Sequence, residues 1–187
     1  MPLMIASLRV AAATIALCVV AYTAVVLGVA QLIEPQTANG SLITAADGTV
    51  VGSRLIAQKF SAPGTFWPRP SAVGYNGAGG SNKSPTSADL TRRAAELIAR
   101  YGATPESPLP PELAAASGSG LDPHISEHAA LYQVERVARA RGLPRAQLEA
   151  LIRKQAFAPG GTLTRDRLVS VLELNLALNR LTSDSPR

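Results

Sequence analysis

Few side chains in this sequence are of kinds that do chemistry, and their spacing limits what they can do. Asp122 and His124 stand two apart, and His128 follows four later. A carboxylate and imidazoles can pass protons or hold a metal. Hydrolysis also needs a nucleophile with its base and orienter, and a zinc centre needs three or four ligands. No cysteine lies near them, and the chain has no G-x-S-x-G. The order Asp122-Pro123-His124-Ile125-Ser126 reads instead as a turn entering a helix, with Asp and Ser as caps. Ser117-Gly118-Ser119-Gly120 is glycine-rich but lacks the Lys-Ser/Thr ending of a P-loop and the G-x-G-x-x-G spacing. Ser81 and Asn82 offer oxygens of the kind found in hydrogen-bonding turns. Gln133 falls at a polar helix position beside Leu131 and Val134, where an amide usually satisfies buried neighbours. Trp67, the single tryptophan, stands in an irregular loop and either plugs that loop onto its own domain or anchors a partner. The residues thus assign no catalytic group and no metal ligand set.

The elements that must position these residues begin with an anchor. From Val10 to Ile33 the chain runs 24 residues without a charge. As a helix this reaches about 36 Å, enough to cross a hydrocarbon core of about 30 Å. A signal-peptide apolar region is shorter, about 7–15 residues, so the helix is expected to be retained. Arg9 and the α-amino group precede it; on the far side no Lys or Arg occurs before Arg54. The positive-inside rule then gives a cytoplasmic N-terminus at 1–9, a span at 10–33 and one extracytoplasmic domain at 34–187. Ala12 with Ala16 and Ala24 with Gly28 form small-xxx-small pairs. The span carries no ionisable group for an ion path. Cys18, the only cysteine, lies inside it, so the outer domain forms no internal disulfide. Net charge is +5, with Arg92-Arg93, Arg136, Arg139, Arg141 and Arg153-Lys154 scattered over helical segments. They read as solvated helix faces, and no aromatic-rich motif points to nucleic acid.

The outer segment reads as a mixed α/β fold, an α+β domain with more helix than strand. Ser41–Thr44 and Thr49–Gly52 flank Ala45-Ala46-Asp47-Gly48, a hairpin signal. Ser61 to Pro85 is a long irregular loop. A helix follows from Asp89 to Tyr101, capped by Thr86 with Asp89 closing the box, and carries the stripe Leu90, Ala94, Leu97, Ile98 and Tyr101. Pro105 to Pro111 is a connector. A second helix is expected from Ser126 to Arg141, with Gly142 after it, and a third from Pro144 until Pro159-Gly160-Gly161. Arg167–Leu181 fits both alternation and a helical stripe. Its length favours helix, entered through a strand-like start.

Two segments are too particular for ordinary loops. One is Phe66-Trp67-Pro68-Arg69-Pro70-Ser71-Ala72, continuing through Tyr75-Asn76 to Gly79-Gly80-Ser81-Asn82. The other is Ala116-Ser117-Gly118-Ser119-Gly120-Leu121-Asp122-Pro123-His124-Ile125-Ser126, followed by Tyr132-Gln133-Val134 and Arg136-Val137-Ala138. With Leu172-Glu173-Leu174-Asn175-Leu176-Ala177-Leu178 and the early Ala-Asn-Gly-Ser-Leu, the order resembles the C subunit of the bacterial Kdp potassium-transporting ATPase over nearly the whole chain. Lys83 and Asn179 depart from the expected pattern. The resemblance implies an accessory, non-catalytic subunit of an ATP-driven potassium importer in the bacterial inner membrane. Its partners would be a channel-like potassium-binding subunit, a P-type ATPase subunit and a small single-span subunit. No cofactor is firmly bound, and ATP is reached through the complex. The family role is that of a catalytic chaperone raising ATP affinity, which makes Gln133 the implied nucleotide contact. ATP is cytoplasmic, however, while the charge pattern puts Gln133 outside. Phe66, Trp67, Arg69, Pro70, Asn82, Asp122 and Asn175 are the expected interface or bracing residues. The alternative function is a membrane-anchored extracytoplasmic hydrolase.

Overall fold

The computed structural model describes residues 1–183 except Ala46 and Arg165. The chain divides into two units, Met1–Val51 and Gly52–Arg187.

The first unit is led by one continuous helix, Pro2–Ile33, long and apolar enough to cross a membrane. It comprises α1 (Pro2–Ile15), a π-helical segment (Ala16–Ala21) and α2 (Tyr22–Ile33), and none of its side chains is buried. In the π segment the Tyr22 N–H donates to the Leu17 carbonyl, five residues back. A short α3 (Pro35–Ala38) follows, tied back by paired amides of Gln31 and Asn39. Strands β1 (Leu42–Thr44) and β2 (Val50–Ser53) pair as the hairpin that the Asp-Gly signal predicts. The Thr49 N–H donates to Asp47 Oδ1, and Gly48 takes a φ of +84°, which glycine adopts without steric cost. Ala46, in this turn, lies outside the described residues.

The second unit packs helices around a two-stranded sheet. After the long loop come α4 (Ala88–Tyr101), α5 (Pro111–Ala114), β3 (His124–Ser126), α6 (Glu127–Tyr132), α7 (Val134–Arg141), α8 (Arg145–Gln155), β4 (Leu168–Ser170) and α9 (Val171–Ser183). β3 and β4 run antiparallel with Ile125 opposite Val169. Backbone bonds between Phe157 and Leu168 extend the ladder. The core gathers Phe66, Leu113, Ile125, Val137, Leu148, Ile152, Val169, Leu174 and Leu178, all fully buried. The strand entry at Leu168 followed by α9 matches the mixed pattern of the sequence.

Four expectations need correction. The helix from Ser126 to Arg141 is two helices meeting at Gln133, whose N–H bonds to Ala130 three residues back as its amide turns inward. Asp122 does not cap that helix. Ser126 does, accepting from the Ala129 N–H, while Asp122 closes a turn by accepting from the His124 N–H. Thr86 does not cap α4: the helix starts at Ala88 after Ser87, and Asp89 is spent on Lys83 and Arg92. Finally, α8 ends at Gln155, before the Pro-Gly-Gly signal, because Phe157 joins the sheet.

Candidate interaction site: a loop held by helix side chains

An irregular loop inside a domain must still satisfy its backbone groups. Between Ala62 and Trp67 side chains do this one carbonyl after another. The Trp67 indole N–H donates to the Ala62 carbonyl at 2.9 Å. Arg136 donates to the carbonyls of Pro63 and Thr65, and Arg141 to that of Gly64. Asn175, from α9, closes both backbone groups of Phe66: its Oδ1 accepts from the Phe66 N–H at 2.8 Å and its Nδ2 donates to the Phe66 carbonyl at 2.9 Å. Gln133 treats Trp67 in the same way, at 2.8 and 3.0 Å. Both amides are buried, Gln133 at 1% exposure and Asn175 at 3%. Two side-chain amides therefore act as two short strand partners for one extended dipeptide.

That dipeptide aims its side chains apart. Phe66 enters the core with no exposed area. The Trp67 ring packs edge-on to Tyr101, with centroids 5.0 Å apart. The Arg100 and Arg136 guanidinium carbons stand 4.1 and 3.7 Å from its centroid, so two cations share one π system. Arg136 also donates to Gln133 Oε1 at 2.6 Å, and burial draws its pKa down to about 10. The reading of Arg136 and Arg141 as solvated faces is thus corrected: both reach inward to hold the loop, and Arg141 also donates to Asn179.

Farther along, the two distinctive segments join. The Ser117 N–H donates to the Pro70 carbonyl at 3.0 Å, and the Gly79 N–H to the Ser119 carbonyl at 2.7 Å. Their backbones approach so closely that a Cβ on Gly120, whose φ is +70°, would stand 2.5 Å from the Gly79 carbonyl oxygen. A Cβ on Gly80 would stand 2.9 Å from the Gly118 carbonyl. Arg69 Nη1 and Asp122 Oδ2 pair at 3.0 Å across the junction. Tyr75, at a φ of +66°, donates its hydroxyl to the Arg69 carbonyl. Asn82, exposed and at a φ of +38°, stands outside this network. Of the expected residues the structure brings together Phe66, Trp67, Gln133 and Asn175 in one cluster and Arg69, Pro70 and Asp122 in another. Tyr75, Arg136, Arg141 and Gly120 were named from sequence only within longer motifs or as surface cations, not as site residues. A polar residue falling on an inward helix position, as Arg136 does three after Gln133, was the available signal.

The His124 imidazole 3.7 Å away, the His124 N–H and the Arg69 guanidinium hold the Asp122 carboxyl below the usual carboxylate range, against its partial burial. Because the folded pKa lies below the unfolded one, the stabilisation is present above about pH 4 and is lost as pH falls through the folded value. Asp122→Asn in the full-length chain is expected to cost about 1–2 kcal/mol at neutral pH. The gap to wild type should close on acidification below pH about 4, as read by urea midpoints in detergent. A gap that stays constant with pH would show that the ion pair contributes nothing.

Among the described residues no three His, Cys, Asp or Glu side chains gather as a metal site. His124 instead packs edge-on to Phe157, 5.4 Å between centroids. The geometry is that of a braced surface. Comparison with known proteins gives the family. The family model described as K+-transporting ATPase, c chain, matches residues 4–180. The potassium-transporting ATPase KdpC subunit of Parvibaculum lavamentivorans is 65% identical over 179 residues, covering 95% of this chain and 96% of the relative. Those of Geobacter sulfurreducens and Pseudomonas aeruginosa are 47% and 44% identical, over 88% and 87% of this chain and 90% and 88% of the relatives. These findings give no support to the anchored-hydrolase alternative. The chain belongs to the family of the C subunit of the potassium-transporting ATPase, an accessory subunit of that complex.

Proposed function

We propose that this subunit works from outside the inner membrane, joining a channel-like potassium-binding subunit to the assembly that contains the P-type ATPase subunit and a small single-span subunit. The joined loops would be its contact face. The supporting observation is the mutual locking of the two segments at Arg69–Asp122, Pro70–Ser117 and Gly79–Ser119, which spends tight backbone geometry on a surface instead of a core. Asn82 and Val73, at the rim of this junction, remain exposed for a partner. The absence of Lys or Arg between Arg9 and Arg54 supports the orientation. On this reading ATP binds the ATPase subunit, and this chain alters ATP dependence only through subunit contacts. Gln133, with both ends of its amide engaged by Trp67, has a structural occupation that needs no nucleotide.

A reporter enzyme that is active only outside the membrane, fused after the last residue, is expected to be active. A tag on the same chain should co-purify two much larger membrane proteins. Reporter activity confined to the cytoplasm would overturn the orientation, and purification of the chain alone would overturn the assembly role.

A further inference from the structure

Between α4 and α7 lies an open cleft of about 590 Å³, whose lining includes Arg100, Tyr101, Arg136 and Arg139. Two of its donor residues, Arg100 and Tyr101, lack acceptors, whereas Arg136 gives its terminal nitrogens to the Pro63 and Thr65 carbonyls and to Gln133, and Arg139 pairs with Glu135. Among the described residues Arg100 makes no hydrogen bond or ion pair beyond its stacking on Trp67, and the Tyr101 hydroxyl has no partner. Burial pushes that phenol up to about 12, so it stays a donor at neutral pH. Arg136 has no carboxylate partner, and its Nε is buried without an acceptor. The one carboxylate in the lining, Glu135, is already bridged by Arg139 at 3.2 Å and Arg145 at 2.8 Å. The sign of the vacancy is therefore clear: the cleft offers positive charge and donors. The unit as a whole agrees, with 17 Lys and Arg against 11 Asp and Glu from Gly52 onward. Small and apolar residues, Pro63, Ala99 and Ala140, line the rest and leave room for a backbone. α4 itself buries none of its side chains fully, and its Ile98 is 45% exposed.

We propose that this cleft receives an acidic side chain, Asp or Glu, from an extended segment of another subunit of the complex, with Arg100 and the Tyr101 hydroxyl as its direct donors and Arg136 as the charge behind them. A few side-chain donors on an open surface are enough to select the sign of a charge within an interface held elsewhere. They are too few to retain a free anion. The inference rests on the reading of the chain as an assembled subunit.

The test uses the full-length chain co-expressed with the other subunits of the transporter. Arg100→Glu places like charges together and is expected to cut recovery of the complex about tenfold at about 0.15 M salt. Arg100→Lys should keep most of it, and Lys154→Glu, the same charge reversal at an exposed position on α8 away from the cleft, should behave as wild type. A photo-crosslinking residue at position 99 should join another subunit within a segment that contains Asp or Glu. Wild-type recovery with Arg100→Glu, equal loss with Lys154→Glu, or a crosslink only to lipid would each overturn the inference while the subunit role stands. Failure of the wild-type chain to co-purify would overturn both.

Discussion

Gln133→Leu should destabilise the full-length chain by about 3 kcal/mol while leaving the apparent KM for ATP of the assembled complex unchanged. Leucine keeps most of the volume but removes the amide that satisfies the Trp67 N–H and carbonyl. Each buried backbone group left without a partner costs about 1–3 kcal/mol, and the Arg136 guanidinium loses its 2.6 Å acceptor as well. Urea midpoints in detergent measure the first quantity, and ATP titration of the purified complex the second. A small stability loss together with a several-fold rise in KM would transfer Gln133 from loop support to nucleotide contact. The two roles are separable because a residue that holds the loop shows its effect in this chain alone, before any ATPase subunit is present.

A comparable loss, about 3–5 kcal/mol, is expected for Trp67→Ala. The indole is 7% exposed, and its N–H closes the Ala62 carbonyl. Removing the ring opens a cavity against Tyr101 and leaves Arg100 and Arg136 without the π face both use. Trp67→Phe should recover part of the loss, since a smaller ring keeps the stacking but not the N–H. A double-mutant cycle between Trp67→Phe and Arg100→Ala isolates the cation–π term, about 0.5–1 kcal/mol at an exposed guanidinium. A cost below about 1 kcal/mol for Trp67→Ala would show that the ring does not plug the loop.

Much of the fold was legible because its signals are local. The uncharged run, the Asp-Gly hairpin and the glycine after Arg141 each act within a few residues, and Gly142 takes the left-handed cap at a φ of 66°. The strand-to-helix switch at Leu168–Ser183 was legible in its doubled periodicity. What stayed hidden depended on distance along the chain. Asn175 finds Phe66 across 109 residues and Gln133 finds Trp67 across 66, so no window of sequence contains both partners. For the same reason the break at Gln133 did not show. Its neighbours keep helical spacing, and only the inward turn of the amide, set by Trp67, divides α6 from α7. Arg136 and Arg141 looked like ordinary surface cations since their acceptors are backbone carbonyls, which carry no mark in the sequence.

The π-helical segment at Ala16–Ala21 bears on the phase of the long N-terminal helix. In an unbroken α-helix, positions eight apart such as Ala16 and Ala24 are out of phase by about 80°, so the pairs Ala12/Ala16 and Ala24/Gly28 would face different neighbours. One extra residue taken up in a wider turn rotates everything beyond it back by about 100°, which leaves a mismatch of about 20°. The widened turn thus works as a clutch between two half-helices, setting four small side chains along a single meridian of the rod.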